Sequence, residues 1–302
     1  MARALVVSCQ YGNFEDLRLN GCFYDSERFV NQLKKMDPNM KIVIMRDDYP
    51  KSSGLFPTSD NIKRKLNELC TSKSEKLFFY YSGHGSYKDD ENNDEMQQGR
   101  NSYINFMRNS LGKDSCLVSN EIKEVGLVSD DDLNLELRSL KSNQTLYSFM
   151  DCCHSGSILD LYCTAVGDYT KKFNYKTPRE LIREGKRKCK INKSFYKSKS
   201  EEIKGTVILI SGTRDKDYSY ESNIGGQPQG HFTTALVKAL DLGFYKKSLR
   251  VFYSSLIVLI DDKDQIPVLS MSKNLNLRRT KISNLNTRSK LSRRDKLLLL
   301  MR

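Results

Sequence analysis

The sequence predicts an α/β fold with a mostly parallel central sheet and helices on both faces. Short apolar runs alternate along the 302 residues with amphipathic stretches of helical periodicity. Buried parallel strands have such continuous apolar runs, and the helices that connect them cover both faces of the sheet. Several amphipathic stretches also open with Asp or Ser, which are favoured at helix N-termini.

Each predicted element follows from one of these two patterns. The apolar runs predict strands at 4–8, 41–45, 76–81, 145–150 and 206–211. The amphipathic stretches predict helices at 25–35, 60–70, 130–140 and 231–240. Three polar or basic stretches interrupt the alternation, and we expect loops or tails there, at 87–120, at 168–204 and after residue 272.

The elements predict one domain built from two halves. Residues 1–169 form the first half, 170–204 a basic linker, 205–272 the second half and 273–302 a basic C-terminal tail. The formal net charge is +13, and the basic excess is concentrated in the linker and the tail. Such runs are usually solvated sequence, with a nucleic-acid-binding surface as the alternative.

The composition indicates a soluble globular protein of a reducing compartment. No apolar run approaches the roughly 20 residues of a transmembrane helix, and no signal-peptide pattern opens the chain. The eight cysteines include no CxxC pair, and there are three histidines. We therefore expect free thiols, no structural zinc site and a cytoplasmic location.

Reactive residues follow two of the predicted strands. His84 stands between two glycines after the run 76–81, and Cys153 follows the run 145–150. Ligand sites in open α/β sheets lie beyond the carboxyl ends of the strands, and a thiol beside an imidazole suits nucleophilic catalysis. The backbone amides of Gly85 and Cys153 are candidate oxyanion donors. The alternative is a packing histidine and two inert buried thiols, which fits Cys152 better than Cys153.

Both segments resemble those of a known family. FFYYSGHGS and SFMDCCHSGSILDL are similar to segments of metacaspases, which are caspase-like cysteine peptidases. The resemblance continues through ALVVSCQY, LNGCFYDSERF, GLVSDDDL, ISGTRDKDYSYES and GGQPQGHFTTALVKAL, and so covers most of the chain. It implies a caspase-like fold and a cysteine endopeptidase that forms a thioester acyl-enzyme, with His84 as the base and Cys153 as the nucleophile.

The resemblance also implies a substrate preference. In the peptidase that it implies, the primary specificity pocket would be lined by Cys22, Asp25, Ser82 and Asp151. Carboxylates in that pocket would select protein or peptide substrates with Arg or Lys before the scissile bond, because a buried guanidinium or ammonium group needs a paired charge.

Metacaspases are commonly activated by calcium, and the resemblance implies four carboxylate ligands, which are Asp114, Asp130, Asp131 and Asp160. Oxygen ligands from flexible loops suit this ion. The alternative for the acidic run at 130–132 is a helix N-terminus, where negative charge is favoured.

Three residues depart from the family pattern. Ser119 and Glu121 stand where Pro and Asp are usual, and Thr213 stands where Cys is usual. All three lie outside the catalytic dyad, so we expect activity to survive. We expect the insertion at 87–120 to alter the response to calcium rather than the dyad.

We also expect calcium-triggered autoproteolysis within 171–204, because exposed Lys and Arg there would suit an acidic pocket. The first strand begins at residue 4, so no prodomain is expected, and the protein should be a monomer. The alternatives are another caspase-fold peptidase, either legumain-like or clostripain-like, an inactive regulator, or a caspase-like scaffold that binds nucleic acid through its basic segments.

Overall fold

A computed structural model describes residues 1–89, 113–121, 124–153, 155–156, 158–161, 163–167, 189–193, 201–213, 219–260 and 265–282. For 163–167 and 189–193 only the backbone is described. No helix within these ranges has both the length and the apolar character needed to cross a bilayer.

The strands and helices of these ranges are numbered separately in chain order. The strands are β1 (Arg3–Ser8), β2 (Lys41–Arg46), β3 (Lys76–Ser82), β4 (Gly85–Asp89), β5 (Lys113–Asn120), β6 (Val125–Ser129), β7 (Thr145–Asp151), β8 (Cys163–Gly167), β9 (Cys189–Lys193), β10 (Thr206–Ser211), β11 (Glu221–Ile224), β12 (Gln227–Gly230) and β13 (Val268–Met271). The helices are α1 (Cys22–Met36), α2 (Ser59–Cys70), α3 (Asp130–Leu137), α4 (His231–Asp241) and α5 (Leu249–Leu259), with short 3₁₀ turns at Glu15–Leu17 and Phe244–Lys246.

A mostly parallel sheet lies at the centre, in the strand order β2-β1-β3-β7-β10-β13-β8-β9. Strands β2, β1, β3, β7 and β10 run parallel to one another, whereas β13, β8 and β9 pair antiparallel. The predicted fold class is confirmed. Because β7 pairs with β10, both predicted halves contribute to one sheet.

The core consists of two apolar layers, one on each face of the sheet. One layer contains Phe29 of α1 and Phe232 of α4, and the other contains Leu66 of α2. Successive strand residues point to opposite faces, so Tyr80 belongs to the first layer and Tyr81 to the second. The alternation therefore determines towards which face of the sheet the side chain at each strand end points.

Two smaller sheets flank the carboxyl edge of the central sheet. Strands β4, β5 and β6 form one antiparallel sheet, and β11 and β12 form a hairpin. The hairpin turn contains Gly225 and Gly226, whose φ angles are +63° and +85°, a conformation that glycine adopts without steric penalty. The hairpin leads directly into α4, which carries part of the site.

The prediction of loops at 87–120 and 168–204 is wrong in part. Strands β4 and β5 occupy the ends of the first stretch, and β9 lies within the second. Strand β5 was missed because Asp114, Ser115, Ser119 and Asn120 are polar yet buried, which breaks the apolar pattern of a strand. Residues 273–282 contain no described helix or strand, but they are not a free tail, because Leu277 and Ile282 pack into the core.

Candidate active site

The candidate active site lies where β3 and β7 end. These parallel neighbours pair Ser82 with Asp151, and the Gly83 N–H donates to the Asp151 carbonyl at 3.3 Å. His84 and Cys153 each follow two residues after that pair. The structure therefore places the predicted base and nucleophile on adjacent strand ends.

Gly85 marks the closest approach of the two segments. A Cβ atom built at Gly85 would lie 1.9 Å from the carbonyl oxygen of Cys153 and 3.3 Å from its amide nitrogen. Gly85 does not have a positive φ angle, so the requirement for glycine here is one of space. The two predicted oxyanion residues are thus backbone neighbours.

The His84 ring is oriented by a backbone carbonyl that the sequence did not reveal. Its Nε2 lies 2.8 Å from the Leu17 carbonyl oxygen. A carbonyl oxygen can only accept, so Nε2 carries the proton and Nδ1 of the neutral ring keeps its lone pair. The Tyr11 ring lies beside the imidazole, with ring centres 4.9 Å apart. Nδ1 is therefore the nitrogen that can act as a base.

Two buried tyrosines hold the His84 backbone in place. The hydroxyls of Tyr11 and Tyr81 lie 3.1 Å apart, at 2.6 Å and 2.7 Å from the Val118 carbonyl oxygen. The His84 N–H donates to the Tyr11 hydroxyl at 2.9 Å, and the Val118 N–H donates to the His84 carbonyl at 3.1 Å. Strand β5, which contains Val118, is thus bonded directly to the histidine segment.

The two neighbouring thiols have different environments. Cys152 is 1% exposed, and burial raises its pKa well above the ordinary value, which makes it an inert neighbour. Cys153 is half-buried, and the Ser219 N–H donates to its Sγ at 3.3 Å. Burial raises the Cys153 pKa, with the Ser219 amide opposing and Asp151 adding to this shift. The resting thiol is therefore protonated and needs a base.

The predicted pocket carboxylates, Asp25 and Asp151, both lie against Gly230. A Cβ atom built there would lie 2.3 Å from Asp151 Oδ2 and 3.0 Å from Asp25 Oδ2. Burial, followed by repulsion from Asp151, raises the pKa of Asp25 to about 7. Burial also raises the pKa of Asp151. Two carboxyl groups are thus held close together in a buried site, where each disfavours ionisation of the other.

Each carboxylate has partners that the sequence did not reveal. Asp151 accepts hydrogen bonds from the Ser219 hydroxyl at 2.6 Å and from the Thr233 hydroxyl and N–H at 2.6 Å and 3.1 Å. Asp25 accepts from the Gly230 N–H at 2.7 Å and pairs with Arg28.

The other two predicted pocket residues, Cys22 and Ser82, are also buried. The Ser82 side chain hydrogen-bonds the Cys22 thiol, which partly opposes the rise in the Cys22 pKa caused by burial. That thiol also interacts electrostatically with both pocket carboxylates. The structure thus brings all four predicted pocket residues together.

An acidic cluster lies next to the beginning of β5. Asp130, Asp131 and Asp160 place carboxylate oxygens within 4.8 Å of one another. Asp114 is not in this cluster, because its carboxylate pairs with the Lys88 ammonium at 3.5 Å. Asp114 is nevertheless close, since the N–H of the next residue donates to Asp130 at 2.9 Å. Clustered carboxylate oxygens fit a hard cation such as Ca²⁺.

The alternative for the acidic run at 130–132, a helix N-terminus, also fits the structure. Ser129 is the N-cap of α3, and its side chain and that of Asp132 form a reciprocal capping box. Asp130 and Asp131 also lie in the first turn of α3, and Asp130 Oδ1 accepts from the Asp131 N–H at 2.9 Å. The acidic run therefore suits a helix N-terminus as well as a cation site.

The three departures from the family pattern all form internal hydrogen bonds. Glu121 Oε1 accepts from the Ser119 hydroxyl at 3.0 Å and from the Ser59 N–H at 2.8 Å. The Thr213 hydroxyl donates to the Cys152 carbonyl at 3.1 Å. Most of the predicted autoprocessing region 171–204 lies outside the described residues, as do 90–112 and the tail from 283 onwards.

A thiol and an imidazole at adjacent strand ends of this sheet define the class, which is the cysteine peptidases of caspase fold. Two solved structures show the fold. A protein from Geobacter sulfurreducens matches with a TM-score of 0.59 at 19% identity, covering 93% of this chain and 98% of that one. Caspase-1 from Spodoptera frugiperda matches with a TM-score of 0.51 at 11% identity, covering 93% and 88%.

The chain belongs to the metacaspase family. The family model for the metacaspase, peptidase C14 domain matches residues 2–162. Metacaspase-2 of Trypanosoma brucei brucei is 26% identical over 303 residues, which cover 92% of this chain and 75% of that protein. Metacaspase-1A of Aspergillus oryzae is 26% identical over 305 residues, covering 89% and 67%. The predicted family, caspase-like fold and cysteine-type peptidase class are confirmed.

Proposed function

We propose that this peptidase is a calcium-activated endopeptidase that cleaves after Arg or Lys through His84 and Cys153. One observation supports the dyad above all others. The backbone on either side of His84 lies against Asp151 and Cys153, while the Leu17 carbonyl leaves Nδ1 as the basic nitrogen. Base and nucleophile therefore share one end of the sheet.

In the proposed reaction, His84 Nδ1 takes the proton of the Cys153 thiol, and the thiolate attacks the scissile carbonyl carbon. The negative charge on the carbonyl oxygen is stabilised by the Gly85 and Cys153 amides. The imidazolium returns its proton to the leaving amine, which leaves a thioester on Cys153. Water, deprotonated by the same imidazole, then hydrolyses the thioester and regenerates the thiol.

The two buried carboxylates favour a cationic residue before the scissile bond. Asp25 and Asp151 repel each other beside Gly230, and a guanidinium or ammonium group bound to them would relieve that repulsion. Charged hydrogen bonds in a desolvated site discriminate strongly, because an uncharged side chain could not compensate the negative charge that remains in the pocket beside Asp151. Protein segments rich in Arg and Lys are thus the proposed substrates.

Calcium is the proposed activator, held by Asp130, Asp131 and Asp160, with Asp114 as the fourth carboxylate. The bound ion would offset part of the negative charge of this cluster and hold its segments together. Activation through β5 is supported by the contacts of Val118, which bonds His84 and both buried tyrosines. We also propose that calcium triggers cleavage of the protein's own chain within 171–204. The protein is proposed to be a monomer with a cytoplasmic location.

A positional-scanning peptide assay tests the proposal, performed with and without Ca²⁺ on the wild type, Cys153→Ala and His84→Ala. We expect calcium-dependent cleavage after Arg and Lys in the wild type only. Cleavage after Asn or Asp would reject the pocket assignment, and equal rates with a chelator would reject calcium activation. Full activity in either variant would reject the dyad. Mass spectrometry of wild-type protein after calcium addition tests the autoproteolysis separately, and an intact chain alongside peptide turnover would exclude it.

A further inference from the structure

Arg28 lies one helical turn after Asp25 on α1 and binds it directly. Its Nη2 is 2.5 Å from Asp25 Oδ1 and 3.1 Å from the Thr234 hydroxyl of α4. The guanidinium also lies over the Tyr24 ring, 5.0 Å from its centre. The Arg28 side chain is 18% exposed, so this cation is largely desolvated and held from three directions.

The Arg28 contact changes the charge of the pocket. Asp25 and Asp151 together carry two negative charges when both are ionised, and one substrate cation would neutralise only half of that. With Arg28 bound to the outer oxygen of Asp25, the pocket keeps one uncompensated negative charge. The inner oxygen, Oδ2, still faces Gly230 and Asp151, where a substrate side chain would enter.

We propose that Arg28 is a positioning residue for substrate specificity, which matches the pocket to one substrate cation by favouring the ionised form of Asp25 and by holding this carboxylate in place beside Asp151. This proposal rests on the Arg and Lys specificity proposed above. It deepens that function, because Arg28 itself does not contact the substrate.

The other titratable groups around Asp25 do not replace Arg28. The charged or titratable side chains that interact with Asp25 are Cys22, Arg28, Tyr80 and Asp151. Asp151 interacts in addition with Cys152, Cys153 and His231, and Glu221 interacts with Cys22. Arg28 lowers the Asp25 pKa, whereas Asp151 raises it. Within this set, Arg28 supplies the cation that bonds Asp25. Without it, Asp25 would hold its proton to a higher pH.

Binding can be measured without cleavage by using Cys153→Ala protein and a peptide that ends in Arg. Isothermal titration calorimetry from about pH 6 to 9 should show affinity that falls as the pH drops through the Asp25 pKa of about 7. With Arg28→Gln the loss of peptide affinity should begin at a higher pH. At the acid end of the range, the affinity should be weaker than that of the protein with Arg28 by about tenfold for each unit by which the Asp25 pKa has risen. Arg28→Lys should restore most of the difference.

Lys35→Gln is the matched control. Lys35 is also on α1, but its side chain is 63% exposed and pairs with Asp241 at the surface. Its removal should leave the pH profile unchanged. In active protein, Arg28→Gln should raise KM more than it lowers kcat, because the reacting groups are untouched. A merely structural role would lower both parameters and leave the pH profile in place.

The outcomes separate this inference from the proposed function. An Arg28→Gln pH profile equal to that of the wild type would overturn the role of Arg28 alone, while cleavage after Arg persists. A wild type that does not bind Arg peptides would overturn both. If Arg28→Gln is unstable, an Asp25→Asn background provides the test. There Arg28→Lys should have no effect on peptide affinity, and any further change would show that Arg28 acts other than through Asp25.

Discussion

Substitution of Gly85 by Ala should separate the two strand ends that carry the dyad. The added Cβ would lie 1.9 Å from the Cys153 carbonyl oxygen, and real Cβ atoms essentially never approach within 3.0 Å. The backbones must therefore move apart by roughly 1 Å. A misplacement of about 1 Å costs on the order of a hundredfold in rate when catalysis depends on alignment. The obstructing atom belongs to the backbone, so no side-chain rotation can relieve the contact.

The assay is kcat and KM for an Arg-ending peptide, together with a thermal melt. We expect kcat to fall by about a hundredfold with a smaller change in KM. Gly12→Ala is the control, because nothing lies within 4 Å of the added atom and its φ angle is not positive. If folded Gly85→Ala protein retains more than about half of the wild-type kcat, the close approach of Gly85 and Cys153 does not govern catalysis.

Three further perturbations follow from the site. Asp131→Asn removes one carboxylate from the acidic cluster, so calorimetric Ca²⁺ affinity should fall by about tenfold or more. Unchanged affinity would remove Asp131 from the site. Tyr81→Phe deletes the hydroxyl beside Val118 and His84, so urea unfolding should show a loss of about 1–3 kcal/mol. A wild-type unfolding curve would contradict this. Iodoacetamide should label Cys153 roughly tenfold faster for each pH unit between about pH 6 and 8, because burial raises the thiol pKa. A mass-spectrometric rate that is flat over that range would show a thiolate already present.

The sequence predicted the parallel part of the sheet because those strands are uninterrupted apolar runs. The five predicted strands appear within one residue at each end as β1, β2, β3, β7 and β10. The apolar helix α5 and the strand β13 were not predicted, and neither was the antiparallel edge formed by β8 and β9. Strand β5 was not predicted because several of its buried side chains are polar.

Proximity of the two reactive residues could be predicted because strand ends of a parallel sheet meet at one edge. The residues that orient His84 and Cys153 could not be predicted from the sequence. Leu17 acts through its backbone carbonyl, which any side chain at that position would supply. Gly230 lies 205 residues from Asp25, and no local pattern connects them. Arg28 has the sequence pattern of an ordinary surface charge on an amphipathic helix. Its spacing from Asp25 permits the ion pair, but the contact with Thr234 of α4 could not be predicted.

The pairing of β7 with β10 has a consequence for how this enzyme would behave once its chain is cut. The first and second halves share an unbroken ladder in the central sheet, and the bonds from Gly21 to Glu221 and from Asp25 to Gly230 join them again at the pocket. A break between the halves would leave two interlocked pieces, each contributing one side of the same cleft. Bands on a denaturing gel would then show how much of the chain has been cleaved, but not how much activity has been lost.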